Sequence, residues 1–598
     1  MLNLRARFLA GAAAAFLALP LAQPASADMT YAVADIGAFV GGSYSVAYAV
    51  NNAGQVVGNG STDGVDFMGN PASNAFLYKA NSLINLGTLG GDNSYAYGIN
   101  GAGQVVGASH TGAYDVYSSP IFHAFVYKAG TMQDIGTLGG DNSYAQAINA
   151  FGVIAGQADT AAQDSVAFVG GSGGLTPIVG LSNTNSSAYA LNSHGQVVGW
   201  ANTPSYDAQA FLSSGGSVSN LGTFGGGQQS AAYSITDNGF IVGGADVPNN
   251  SDPTNPYFHA CLFHSGLVTD LGTLGGNRSG AYSVNVFQQI VGYADRTAAG
   301  KPQAFLWQNG VIQNLNDMIP ATTTLHLDQA NGINNSGQIV GYGSLSNGTT
   351  HAFLLTPFLM LRPAYVPGGA VSTATITLDA PAPPTGAVVT LNSDSPLAVL
   401  STSTVTLPAG TRTATLTVTT AFVPTDTTVH ITATYNGVTR TAPLLIRAAG
   451  ALSGVVTLEQ CVTMGGEVIT LIFRNTDDNG SFTRTATLAN DGSFSLPNVP
   501  AGTYYLAVKG RLWLQKVVPL DVPDNGTPTV AVTLLTGDAN NDNSIDPTDF
   551  NIFVSAYNSD RSIPGSGYDT RADFNCDGKV DPTDFGLFVD NYNTVGDP

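Results

Sequence analysis

A chain of 598 residues is long enough for several domains. Only 10% of its residues are charged, and a net charge of −21 argues against a nucleic-acid partner. The 72 glycines, with few lysines and glutamates, favour short strands and tight turns over long helices.

Arg5 and Arg7 precede an apolar run over residues 8–21, and Ala25-Ser26-Ala27 follows it. That order predicts a secretory signal peptide over 1–27, with Asp28 the first mature residue. The run is short for a bilayer span, so the mature chain is expected to be extracellular or on the cell surface. Cys261, Cys461 and Cys576 lie far apart without zinc spacing. No disulfide framework is expected, and an odd count leaves at least one thiol without an intramolecular partner.

From residue 30 to 356 a unit repeats seven times. Asn-Asn-Ala-Gly-Gln-Val-Val-Gly at 51–58 recurs in variant form, with its last glycine at Gly58, Gly107, Gly156, Gly199, Gly243, Gly292 and Gly341. A second block resembles His/Gln-Ala-Phe-Leu, with Phe76, Phe125, Phe168, Phe211, Cys261, Phe305 and Phe353 at its aromatic position. A third resembles Asp-Leu-Gly-Thr-Leu-Gly-Gly, as at 270–276. Four short strands per unit predict a seven-bladed β-propeller over 28–357, with an open solenoid as the alternative. The seventh unit lacks the third block, and Ala34-Asp35-Ile36-Gly37 supplies one at the other end. A strand there would complete the last unit and cover its edge.

These blocks resemble the HAF family of extracellular repeats, through His123-Ala124-Phe125, His351-Ala352-Phe353 and the variant His259-Ala260-Cys261. The resemblance implies an extracellular setting and no general activity. The recurrent histidines hold one position in separate units, so they are expected to be structural, not to converge on a metal. Asp35, Asn85, Asp134, Asn220 and Asp270, with Asn314 as a variant, read as turn residues. Longer loops in units one, two and five carry Asp63, Asp66 and Phe67, then Tyr114, Asp115 and Tyr117, then Asp252 and Tyr257. Polar groups beside aromatics on variable loops suit a carbohydrate or peptide ligand.

Residues 361–448 alternate apolar and polar, with Asn436-Gly437 as a hairpin turn, and predict an immunoglobulin-like sandwich. A further module over 451–535 resembles the carboxypeptidase-regulatory or transthyretin-like sandwiches, which implies a spacer. Within it Arg511, Trp513 and Lys516 read as a packed tryptophan beside solvated charges.

At the C-terminus, Asp538, Asn540, Asp542, Ser544, Asp546 and Asp549 occupy positions 1, 3, 5, 7, 9 and 12 of a loop. Asp573, Asn575, Asp577, Lys579, Asp581 and Asp584 repeat the pattern. Alternate side chains and a terminal carboxylate suit a hard cation. Position seven offers its carbonyl, so Lys579 is tolerated, and two calcium ions are expected. Asp546 and Asp581 read as N-caps, with Pro547 and Pro582 opening the helices. Phe550, Phe553, Val554 and Tyr557, then Phe585, Phe588, Val589 and Tyr592, form apolar stripes.

The paired loop–helix units resemble type I dockerin, an EF-hand-like module of about 537–598 whose partner is a cohesin. The resemblance places partner contacts at Pro547, Thr548, Pro582 and Thr583. The overall expectation is a mainly β, secreted, non-catalytic binding protein, tethered by calcium to a cohesin-like partner. The alternative is a dockerin-borne polysaccharide-degrading O-glycosyl hydrolase or lyase. That chemistry generally needs two placed carboxylates. No catalytic motif marks such a pair, and no catalytic residue is assigned.

Overall fold

The computed structural model describes residues 31–597, apart from 67, 172, 180–184, 226, 248–256, 265, 298–300, 379, 463, 476–480, 501 and 524–526. The expected signal peptide, Phe67 and Asp252 lie outside these residues. The rest is mainly β, with two α-helices near the C-terminus.

Residues 31–357 form seven four-stranded antiparallel sheets. The first contains Ser45–Val50, Val56–Val65, Pro71–Lys79 and Ser82–Asn85. The seventh contains His326–Ile333, Ile339–Ser344 and Thr350–Pro357, and takes its outer strand from Tyr31–Gly37. Asp35 lies opposite Phe353 and Gly37 opposite Ala352. The N-terminal strand thus sits where the missing third block left an edge.

The repeated glycine has a steric cause. In six sheets it lies opposite a buried phenylalanine of the next strand, as Gly58 does Phe76; in the fifth, Gly243 faces Cys261. A Cβ on Gly58 would sit 1.9 Å from the Val46 carbonyl oxygen, and the other six repeat glycines are as tight. The innermost strand bulges at this level. Ala47 and Ala49 pair with Gly58 and Val57, leaving Tyr48 outside the ladder. The same bulge frees Tyr97, Gln146, Tyr189, Tyr233, Tyr282 and Asn331 in the other sheets.

Polar stitches join one sheet to the next. The Ala75 amide donates to Ser94 Oγ at 2.8 Å, and that hydroxyl donates to the Gly87 carbonyl. Ser143, Ser230 and Ser279 repeat the arrangement, and Ser45 receives the Ala352 amide, joining the last sheet to the first. In the turns, Asn51 Nδ2 donates to the Asn100 carbonyl at 3.0 Å, and Asn100, Asn149 and Asn192 each reach the following unit. Thr236 has no amide to offer, and Asn238 bridges to Val286 instead. Asn285 then donates to Asn334, and Asn334 to Asn51, which returns the circuit to its start. The inner strands touch in the same cyclic order.

Residues 359–447 build two sheets around one core. Asn436 and Gly437 both take positive φ in a two-residue hairpin turn. Residues 449–534 build sheets of three and four strands around a second core that includes the fully buried Trp513. Both sandwiches meet the turn end of the seven-sheet array. Arg362 donates to the Ala53 carbonyl, and Tyr505 donates its hydroxyl to that of Ala150.

Candidate calcium and partner-docking site

The helices α1 (Pro547–Ala556) and α2 (Pro582–Asn591) begin as their sequences predict. Asp546 and Asp581 cap them, proline opens each, and Asp549 and Asp584 complete reciprocal capping boxes. Position six turns through the left-handed region, at Asn543 with φ 73° and Gly578 with φ 89°. Position one is the hub of each loop. Asp538 accepts the Asp542 and Asn543 amides, and Asp573 accepts those of Asp577 and Gly578.

Position-twelve carboxylates are fully buried. Asp549 accepts the Asn540 and Asp546 amides, and Asp584 accepts those of Phe574, Asn575 and Asp581. Burial nonetheless pushes the Asp549 carboxyl upward, and that of Asp584 to about 6. Among the described residues no three carboxylate, histidine or cysteine side chains form a ready metal cluster. The loops close on their own amides. The donor set still fits a hard cation: oxygen ligands at the spaced positions, and buried carboxylates that desolvation leaves short of positive charge.

The hub carboxylates also take a partner from elsewhere. Lys509 Nζ, from the preceding sandwich, lies 2.5 Å from Asp538 Oδ2. The Tyr568 hydroxyl donates to Asp573 Oδ2 at 2.6 Å. Cys461 of the sandwich forms a disulfide with Cys576, at position four of the second loop, while Cys261 is free and buried. One disulfide is not a framework, and Cys261 is the thiol that the odd count leaves without an intramolecular partner. Val462 N–H donates to the Asn575 carbonyl, Asn591 Nδ2 to Glu459, and Lys516 pairs with Asp597. The sandwich is therefore joined to the loops by a disulfide, hydrogen bonds and an ion pair. Trp513 is packed as expected, and Arg511 reaches Thr570.

Pro547, Thr548, Pro582 and Thr583 are all exposed at the helix starts. The apolar stripes divide. Phe553 and Phe588 enter the core, whereas Phe550, Val554, Tyr557, Phe585, Val589 and Tyr592 stay at least a third exposed. The two ring contacts Phe550–Phe588 (5.6 Å) and Phe553–Phe585 (5.8 Å) are near-equivalents, as an approximate twofold requires.

Elsewhere, His123, His259 and His351 bond Asp134, Asp270 and Asp35 on the neighbouring strand at 2.6–2.9 Å. Those aspartates also accept the amide two residues on, as turn residues do. Asn74–Asn85 and Gln303–Asn314 replace the pair in other sheets. Asp66 and Asp115 cap the tips of their own hairpins. A cavity of about 1550 Å³ lies where the array meets both sandwiches, and includes His194, Asp237, Asp426 and Asp521. His194 lies 2.9 Å from Asp521 and 3.9 Å from Asp237, and Asp426 pairs with Arg447. Burial raises the Asp521 carboxyl, with Asp237 adding to the effect and His194 opposing it.

Helices, paired loops and covering sandwich define a mainly β, multi-module chain that ends in a small loop–helix module. Residues 536–592 match the model of the dockerin type I domain, and this segment is such a domain. No curated protein matches the chain. Among solved structures, a type II cohesin–X–dockerin complex from Acetivibrio cellulolyticus is 18% identical, over 25% of this chain and 97% of that one, with a TM-score of 0.21. Trypanosoma rangeli sialidase with the inhibitor DANA is 11% identical, over 76% and 92%, with a TM-score of 0.29. The major pilin subunit BcpA of Bacillus cereus is 10% identical, over 42% and 96%, with a TM-score of 0.16. No helix among the described residues is long and apolar enough to cross a membrane.

Proposed function

We propose that the chain is a secreted, non-catalytic binding protein held by a calcium-dependent tether. Residues 28–357 are read as a seven-bladed HAF-type propeller that serves as a ligand platform. Residues 361–448 are an immunoglobulin-like sandwich, and 451–535 a carboxypeptidase-regulatory-like one. Residues 537–598 bind two calcium ions through the twelve loop positions and hold a cohesin-like extracellular partner. The carrying observation is the duplicated loop with a fully buried acid at position twelve, Asp549 and Asp584, in a segment that matches the dockerin model. With calcium bound, the chain's own residues fix the helix starts: Asp546 and Asp581 orient Thr548 and Thr583 outward.

Because the two helices present near-equal faces, either can dock the partner. Thr548→Ala or Thr583→Ala alone is expected to leave calcium-dependent binding nearly intact, and the double change to abolish it. A cohesin pull-down with and without calcium reads this. Loss of binding in either single variant refutes the two-face reading.

One observation favours a second reading, a dockerin-borne glycoside hydrolase. Asp237 and Asp521 share one cavity. Both are engaged by His194, which joins the array to the sandwich. Release of reducing ends from soluble polysaccharide, lost in Asp521→Asn, would establish it.

A further inference from the structure

Five of the seven bulged inner-strand residues are tyrosines: Tyr48, Tyr97, Tyr189, Tyr233 and Tyr282. A bulge re-aims a side chain that the ladder would otherwise hold in line. Here it does so on the strands that meet one another in cyclic order. The backbone does not need an aromatic there, because Gln146 and Asn331 occupy the same bulge. Nor are these rings core. All five are only partly buried, whereas the repeat phenylalanines are fully so.

The rings form two aromatic clusters, separated by the Gln146 and Asn331 bulges. Tyr48 and Tyr97 meet at 5.4 Å, Tyr189 and Tyr233 at 5.2 Å, and Tyr233 and Tyr282 at 5.3 Å. Trp200 donates its indole N–H to the Tyr189 hydroxyl at 3.0 Å. Tyr95 stacks on Tyr97 within 7° of parallel, at the beginning of its strand, away from the asparagine turns. The turn end carries the sandwiches. The opposite end holds the hairpin tips capped by Asp66 and Asp115.

Charge narrows the ligand. Beside the adjoining tyrosines Tyr95, Tyr144, Tyr293 and Tyr342, the charged groups among the described residues are chiefly acidic, Asp66, Asp159, Asp295 and Asp328, with Arg278 opposing. Such a field repels carboxylates and sulfates. Asp66 already accepts within its own hairpin, Asp159 from Asn142 of the paired strand, and Asp328 pairs with His326, so they do not form an open cation cage. Burial raises the phenols, Tyr48 to about 12, which keeps them neutral donors and acceptors at ordinary pH. Flat apolar faces with hydroxyl rims match a pyranose ring, whose C–H face stacks while its hydroxyls bond at the edge.

We propose that the tyrosine-lined end of the seven-sheet array binds neutral polysaccharide. This rests on the reading of residues 28–357 as a ligand platform, and names its ligand class. The full chain in calcium is run by affinity electrophoresis and titration calorimetry. Xylan, hydroxyethylcellulose and galactomannan are the neutral probes, polygalacturonate the anionic control and polylysine the cationic one. Retardation by at least one neutral probe is expected, with roughly tenfold weaker binding in Tyr233→Ala. Tyr233→Phe keeps the stacking face and is expected to fall between. A tryptophan fluorescence change on binding should vanish in Trp200→Phe. Binding to no neutral probe, binding only to polygalacturonate or polylysine, or full affinity in both Tyr233→Ala and Trp200→Phe overturns the proposal. The Thr548→Ala, Thr583→Ala double variant must still bind polysaccharide, which separates failure of this site from failure of the tether.

Discussion

The seven-sheet array and the C-terminal unit solve the same problem by opposite means. The array has no cross-link among its described residues. It is held by many weak, repeated contacts: a serine bridge between neighbouring sheets, an asparagine amide from turn to turn, and glycine under phenylalanine within each sheet. The C-terminal unit has few contacts of any one kind. A disulfide, the Lys509–Asp538 pair and two loops closed on their own amides do most of the joining. A small domain cannot bury enough surface to rely on packing alone. A large repeat can, provided every copy fits.

That contrast is open to attack from both sides. The largest effect is expected from chelation. If calcium sits about a thousandfold above its dissociation constant, removing it withdraws about 4 kcal/mol from residues 537–597. Calorimetry should show that transition collapse while the array's transition stays put; a common shift would mean that the two regions are one cooperative unit. Next is Cys461→Ser, expected to cost about 3 kcal/mol in the same unit, read by denaturant unfolding followed at the helices. Gly199→Ala attacks the other region. Its Cβ would lie 1.9 Å from the Ser187 carbonyl oxygen, and a cost of about 2 kcal/mol is expected in the array alone. The smallest effect is Asn100→Ala, about 1 kcal/mol. It breaks the Asn100-to-Asn149 link and strips the amide at Gln104 of its acceptor. A cost well above the Gly199→Ala value would mean that the circuit, not the sheets, holds the array.

The two regions were also unequally legible. Period and block order revealed the sheets and their number, because each depends on residues close in sequence; the completing strand showed only because a block missing from one end of the repeat stands at the other. The loops were legible for the same reason, since positions one to twelve span a dozen residues. Lys509 and Cys461 were not. Each acts across a module boundary, on Asp538 and Cys576, and no local pattern ties the partners together. The apolar stripes were legible as stripes, but not which of their residues would be covered. A helical repeat of Phe550, Phe553, Val554 and Tyr557 signals a covered face, yet only Phe553 is covered within the described structure. The bulged tyrosines were hidden differently. Strict alternation would place Tyr48 in the ladder between Ala47 and Ala49, and only the register shows that it drops out.

The strand Tyr31–Gly37 carries a consequence for the order of events during folding. Its partner, Thr350–Pro357, lies more than three hundred residues away, and the His351–Asp35 and Asn334–Asn51 bonds span 316 and 283 residues. Contacts at such separation demand a large loop-closure cost before any reward is felt. Until they meet, Tyr31–Gly37 and the outer edge of Thr350–Pro357 are both unpaired, and free to pair with another molecule's strand. Six sheets can form in sequence, each on the one before it, but the seventh waits for both ends of the array. The final step is therefore a search between distant segments in a chain whose other parts are already rigid, and its speed against intermolecular pairing sets how much protein reaches the closed form.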